Sequence, residues 1–582
     1  MSTTAPSPDP RIGLRAGWFN AGEASWNLRL LSNTPPSEQF INRSTPGVSS
    51  LTNSDLAFLG KYVIQGNYSG YQVWDVSNPR RPTLNNAYVC PGSQSDVSVF
   101  RNLLFESSEA TSGRLDCGLG GVPDTVSKDR ARGIRLFEIT DIAHPRYITT
   151  VQTCRGSHTH TVVTDPNDNA NIYIYVSGSA GIRSPNELAG CSARMPEEDA
   201  NSELFRIEVI QVPLAHPEQA HVVSKPPILA GLNPVTRHAE TPADIAAQQA
   251  RQAAAAAAGR GGRGGRGSGP PMGPQQCHDI TVYPAIGLAG GACGGYGVLL
   301  DIRDPAHPKR LGAAADSNFS FWHSATFNND GTKILFSDEW GGGSAPRCRT
   351  TDKPEWGADA IFTLVDNKMT FKSYYKMPAP QTSQENCVAH NGTLIPIPGR
   401  DIMVQAWYQG GISVFEWTDA AHPKEIAFFD RGPMDSTKLV MAGSWSAYWY
   451  NGYIYSSEIS RGLDIFELLP SGFISQNEID AAKSVRFDFF NAQDQPKLVW
   501  PPSFALSRAY LDQLGRSNGL ASDRVSAVRS GLASAEKLSG QPRHDALAQL
   551  ATQLNGDAQG AADRAKVRML AAAVTDLANT QR

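Results

Sequence analysis

The sequence predicts a mainly β protein: a seven-bladed β-propeller over residues 51–470, followed by a C-terminal α-helical bundle. Three observations carry this. The 582-residue chain is rich in turn formers, with 53 Gly and 39 Pro, as strand-dense folds require. One strand-then-turn signature recurs, as GYQVWDVSNPRRP at 70–82 and GIRLFEITDIAHP at 133–145, with further copies ending in VPLAHP (212–217), RDPAHP (303–308) and TDAAHP (418–423). After residue 507 the apolar residues change to helical spacing. Repeats of three or four short strands with turn punctuation read as propeller blades.

Residues 1–50 read as an arm with a polar, Pro/Ser-rich start. Residues 1–10 have no basic or apolar leader segment, and look like the start of a mature chain whose signal peptide has been removed. Repeat units start at Asp55, Asp96, His160, His278, His323, His390 and Ser446. The last lacks a fourth strand before Pro470, so the arm, somewhere in 26–50, is expected to supply it and close the ring. Residues 231–276 form an insertion carrying Ala253–Ala258 and the tract GRGGRGGRG at 259–267. In a chain of net charge −4, one short tract of this kind reads as a flexible surface loop and not as a nucleic-acid site. Residues 471–506 read as an acidic connector. From 507 to 582, Leu511/Leu514, Val525/Val528/Leu532, Leu547/Leu550/Leu554 and Val567/Leu570/Val574/Leu577 mark three or four amphipathic helices. These form a packing appendage or a surface for a protein partner. No apolar run reaches transmembrane length.

The eight cysteines contain no CxxC and fall into sequence-adjacent couples, 90/117, 154/191, 277/293 and 348/387. A framework of local disulfides fits a periplasmic or extracellular protein; free or buried thiols are the alternative.

Twelve histidines sort by position. His144, His216, His307 and His422 share an Ala-His-Pro turn and are repeat furniture. Four others begin similar strand-like runs: THTVVT (159–164), CHDITV (277–282), WHSATF (322–327) and AHNGTL (389–394). The first strand of a propeller blade lines the central channel, so His160, His278, His323 and His390 are expected to converge at one mouth; His158 competes with His160. Four imidazoles suit a transition metal, iron or copper, with zinc also compatible. The second strands end beside them at Glu106, Asp338, Glu339, Gln405 and Glu458. Glu339, Glu106 and Glu458 are the candidate catalytic carboxylates, as general base or as holders of the ligating imidazoles. Trp322, Trp340, Trp407, Tyr408, Trp445 and Trp449 crowd the same region, as a stacking wall or as core.

The 70–82 segment resembles the repeat of the bacterial LVIVD-repeat proteins, a family of exported β-propellers, over roughly residues 50–470. More distantly, HTH (158–160), SDEW (337–340) and QAWYQGG (405–411) resemble the selenium-binding protein/methanethiol oxidase propellers. That second resemblance implies copper-dependent oxidation. By analogy, carotenoid-cleaving oxygenases hold iron with four histidines in a seven-bladed propeller. Two functions are therefore expected: a metal-dependent oxidoreductase acting on a small molecule at the channel mouth, with hydrolysis second to oxidation, or a non-catalytic envelope scaffold with a structural metal or none.

Overall fold

The computed structural model describes residues 3–41, 52–236 and 273–580, with positions 241, 242, 244–246, 249 and 253 between them. Residues 42–51 of the arm, most of the Ala tract and the whole Gly/Arg tract lie outside the described residues. The chain is mainly β and propeller-like. Among the described residues, the strands form four four-stranded sheets, one five-stranded sheet and one nine-stranded sheet.

Within each sheet, consecutive strands run antiparallel, as in Asn53–Leu59, Tyr62–Asn67, Gly70–Asp75 and Thr83–Val89. The nine-stranded sheet is two such groups joined by a short parallel pairing of Asn391 with Ser446 and Gly392 with Ala447. The innermost strands touch in a closed cycle, from Asn53–Leu59 through Val97–Phe100, His160–Asp165, Ile280–Tyr283, Trp322–Phe327, Asn391–Ile395 and Ser444–Tyr450 back to the first.

The N-terminal arm completes the last group. Leu28–Thr34 pairs antiparallel with Gly462–Leu468, and Glu23–Trp26 adds to Lys424–Arg431. First and last strands are thereby held in one sheet, which removes an open edge.

The repeat signature has two physical causes. Its leading glycine, Gly70, Gly133, Gly411 or Gly462, has φ between +76° and +146°, and a Cβ there would lie 1.9–2.1 Å from a carbonyl oxygen of the neighbouring strand. No other residue fits. At the closing turn, Asp141, Asp304 and Asp419 accept the backbone N–H two residues on, and also bond to His144, His307 and His422. Those exposed histidines serve the turn.

The connector does more than its composition suggests. After the helix Gln476–Ser484, residues 486–500 cross the far ends of the inner strands. Phe489–Asn491 pairs with Asn53–Leu59. The Asn491 amide brackets the Val99 backbone, and Gln495 brackets that of Phe327. The Trp500 indole donates to the Pro396 carbonyl. One end of the central channel is thus strapped shut.

Helices Phe504–Arg516, Ser522–Glu536, Gly540–Asp557 and Arg564–Asn579 enclose a separate core that includes Leu511, Val528, Leu547, Leu554 and Val574. Buried Glu478 anchors this unit, accepting from Arg400, Gln513 and Arg516.

The disulfides are Cys90–Cys117, Cys154–Cys191, Cys277–Cys293 and Cys348–Cys387, with no free cysteine. They join the sequence-adjacent couples and point to an oxidising compartment. No helix among the described residues is long and apolar enough to cross a membrane. Thiol titration of the denatured, unreduced protein is expected to find none reactive, and all eight after reduction.

Asp430 gives a second test. Burial, reinforced by Glu385, pushes its carboxyl up to about 8. Gln381 donates to one oxygen at 2.8 Å and the other has no hydrogen-bond partner among the described residues. The unfolded chain releases this proton near pH ~4, so the folded state binds one proton more across the window from there to about 8. This contribution makes stability fall as pH rises through that window. Asp430→Asn is expected to raise Tm near pH ~9 and change it little near pH ~4, measured by thermal melts.

Candidate functional site

Inner-strand starts place histidines at the end of the channel opposite the strap. The rings of His390 and His323 lie 4.0 Å apart between centroids, those of His323 and His278 4.0 Å, and those of His278 and His158 4.7 Å. The row runs from the interior, where His323 and His390 are almost wholly buried, to the surface, where the His158 side chain is 23% exposed. His158 and His278 open onto a cleft of about 1540 Å³, also lined by Phe321 and Trp322.

Glu339 reaches the buried end. Its oxygens stand 3.8 Å from His323 Nε2 and 3.6 Å from His390 Nε2, and it accepts from the Tyr408 hydroxyl at 2.5 Å. His323, Glu339 and His390 offer ligand atoms within 4.8 Å of one another, as do His278, Asp279 and His323. Tyr408, Trp340, Trp356 and Trp445 pack over this end as an apolar cover.

Three of the four rings have their Nδ1 edge held. His158 Nδ1 bonds Glu109 at 2.6 Å, His278 Nδ1 bonds Asp279 at 2.9 Å, and His390 Nδ1 meets the Trp445 carbonyl. An acceptor on Nδ1–H fixes the tautomer whose Nε2 lone pair is free. His390 Nε2 and both nitrogens of His323 have no partner among the described residues, although both residues are fully buried. Orphaned buried polar atoms of this kind are rare and costly. Burial keeps these two rings neutral, holding His390 down at about 3 and His323 well below its usual value, with the neighbouring imidazoles adding to the latter shift. For His158, burial alone would lower the pKa, but the Glu109 carboxylate outweighs it and raises it. Burial raises Glu339.

His160 is not in this row. Its Nδ1 bonds Ser107 Oγ at 2.8 Å and stands 3.5 Å from Asp96; among the described residues its ring touches none of those four. His158, two residues earlier, takes the expected place, because the chain reaches the channel mouth before the strand begins at His160. Glu106 is also misplaced: fully buried, it pairs with Arg135 at 3.4 Å. Glu458 caps a turn, accepting from Gly443 N, Ser460 N and Arg461. Asp338 likewise accepts backbone N–H groups of Ser320, Phe321 and Gly357, and Gln405 bonds Asp359. Among the catalytic carboxylates expected from sequence, Glu339 alone faces the histidines. Glu109 and Asp279 hold imidazoles instead. Asp279 was legible as the neighbour of His278; Glu109 sits in an irregular loop with no periodic signal. Trp407 and Trp449 are buried at 2% exposure or less and belong to the core, whereas Trp322 lines the cleft and Trp340, Tyr408 and Trp445 cover the buried end.

No family model matches the chain, and no curated protein matches it. Among solved structures, it is similar to a periplasmic gluconolactonase from Pseudomonas aeruginosa, at 13% identity and TM-score 0.42, covering 77% of this chain and 98% of that one. It is also similar to a putative 6-phosphogluconolactonase from Bacteroides uniformis, at 11% identity and TM-score 0.37, covering 70% and 89%.

The geometry separates structural carboxylates from the site. Glu106→Ala strands the buried Arg135 guanidinium and is expected to cost about 3–5 kcal/mol in urea denaturation. Glu339→Gln, which keeps an acceptor for Tyr408, is expected to cost less than about 1.5 kcal/mol by the same measurement.

Proposed function

We propose that this chain is an exported seven-bladed β-propeller in which His158, His278, His323 and His390 hold one transition-metal ion, iron or copper. The centre then serves metal-dependent oxidation of a small molecule that enters by the cleft. The observation that carries this is the set of held Nδ1 edges together with the buried nitrogens of His323 and His390 that have no hydrogen-bond partner among the described residues. Neutral imidazoles with free nitrogens and oriented by carboxylates are what a borderline metal requires of its ligands. Zinc is compatible with the same donors, and would turn the chemistry toward hydrolysis.

An iron or copper ion held there supplies one-electron redox chemistry. The chain supplies the rest. Glu109, Asp279 and the Trp445 carbonyl orient the imidazoles. Glu339, oriented by Tyr408, is placed to take a proton from a bound molecule. The cover of Trp340, Trp356 and Trp445 excludes water at the buried end, and the strap of residues 486–500 leaves the cleft as the approach. Support also comes from the short motifs that resemble the selenium-binding protein/methanethiol oxidase propellers: they contribute His158 at the outer end of the row and Glu339 and Tyr408 at its buried end. The repeat resembling the LVIVD family supports an exported propeller.

The test is metal analysis of the purified full chain. About one iron or copper per chain is expected, with at least about tenfold weaker retention in His323→Ala, His390→Ala and His158→Ala. His160→Ala is expected to keep its metal. A wild-type protein that takes up no stoichiometric transition metal would contradict the reading and leave the envelope-scaffold function. Loss in His160→Ala with retention in His158→Ala would overturn the ligand assignment.

A further inference from the structure

The wall of the cleft beside His158 carries an unbalanced positive charge. Arg132 and Arg155 both line the cleft, at 5% and 8% exposure. Neither forms an ion pair among the described residues. Arg132 donates through Nη2 to the Gly181 carbonyl at 2.8 Å, and its Nε has no partner. Arg155 is braced by three neutral acceptors, the Ala180 and Gln275 carbonyls and the Gln276 side chain, at 2.7–3.0 Å.

The nearby carboxylates are engaged elsewhere. Glu187 receives both Arg130 and Arg183. Glu109 receives His158, Ser93 and Ser179. Glu203 and Glu208, which act on Arg155 at longer range, flank Lys225. Burial lowers both arginines to about 10, the direction expected of cations without a close counter-ion. Arginine remains protonated at such a value, so the charge has to be met by solvent or by a ligand.

The arrangement is built, not incidental. Arg155 follows Cys154, whose disulfide to Cys191 fixes the loop, and Gly178 packs a backbone against the Arg155 stem, where a Cβ would approach it to 3.2 Å. The same cleft is lined by His278 and Phe321, an imidazole against an aromatic edge with centroids 5.6 Å apart.

The geometry points to an anion subsite: Arg132, supported by Arg155, receives the carboxylate of an organic acid whose apolar part lies against Phe321 and His278. This rests on the cleft being the approach to the histidine centre, and it names the substrate class of that site as small aromatic or apolar carboxylates. A planar guanidinium matches a carboxylate in two-point geometry, and the aromatic side of the cleft distinguishes an organic acid from an inorganic anion.

Calorimetric titration of the full chain with benzoate, benzamide and inorganic phosphate tests this. Benzoate is expected to bind at least about tenfold more tightly than uncharged benzamide, and more tightly than phosphate. Arg132→Gln is expected to weaken benzoate at least about tenfold, with Arg132→Lys intermediate because it keeps the charge but not the fork. Unchanged melting temperatures establish that the variants fold. Benzoate affinity of the wild-type chain is expected to be the same whether or not metal analysis of that preparation finds an ion, so failure of the metal reading leaves this result standing. Benzoate binding that is absent, equal to benzamide, weaker than phosphate, or indifferent to Arg132→Gln would overturn the proposal.

Discussion

The pairing of Leu28–Thr34 with Gly462–Leu468 is the contact on which the rest of the architecture depends. It joins residues more than four hundred positions apart in sequence. It ties the arm to the last group of strands, whose inner strand Ser444–Tyr450 meets Asn53–Leu59 and closes the inner-strand cycle. With the cycle closed, side chains from separate sheets are fixed around one axis without any of them needing a neighbour in sequence. The entropic cost of bringing distant segments together rises slowly with loop length, and the buried strands flanking the seam, with Phe466 and Leu468 in the core, offset it.

Closure also explains where polar groups collect. A strand start at the channel mouth is buried by its neighbours but has left the ladder that would satisfy it. Its side chains therefore bond one another or wait for a ligand. Further along the channel, Asp55 and Asp96 show the first outcome and His160 shows both, since its Nδ1 is bonded while its Nε2 has no hydrogen-bond partner among the described residues. Burial lifts Asp55 to about 6, but Tyr448 and Asn391 donate to it at 2.9 Å, and His160 bonds Ser107. At the mouth, His323 and His390 show the second.

The sequence was informative where a local constraint repeats. The glycine that leads the third strand at Gly70, Gly133, Gly411 and Gly462, the Asp-to-His turn and the cysteine couples are each imposed by close approach or short-range geometry, and each recurs. It was informative for His278, His323 and His390 because they share one position in the repeat. It misled at His160, because the unit enters the channel from a loop and the ring that reaches the mouth is two residues earlier. It misled at Glu106 and Glu458, because the end of a second strand has two uses, facing the site or neutralising an arginine, and the arginines Arg135 and Arg461 lie on later segments. The strap was invisible for a similar reason: Asn491 and Gln495 look like loop residues until the inner strands they bracket are assembled.

The central claim is that the row of imidazoles is a ligand set and not a stack of buried neutral rings. The most direct measurement is anomalous diffraction from crystals of the purified protein, collected above and below the iron and copper absorption edges. A single element-specific peak is expected beside the imidazoles of His158, His278, His323 and His390. A map without any such peak at full protein occupancy, or one whose peak lies at His160 and Asp96, would contradict it.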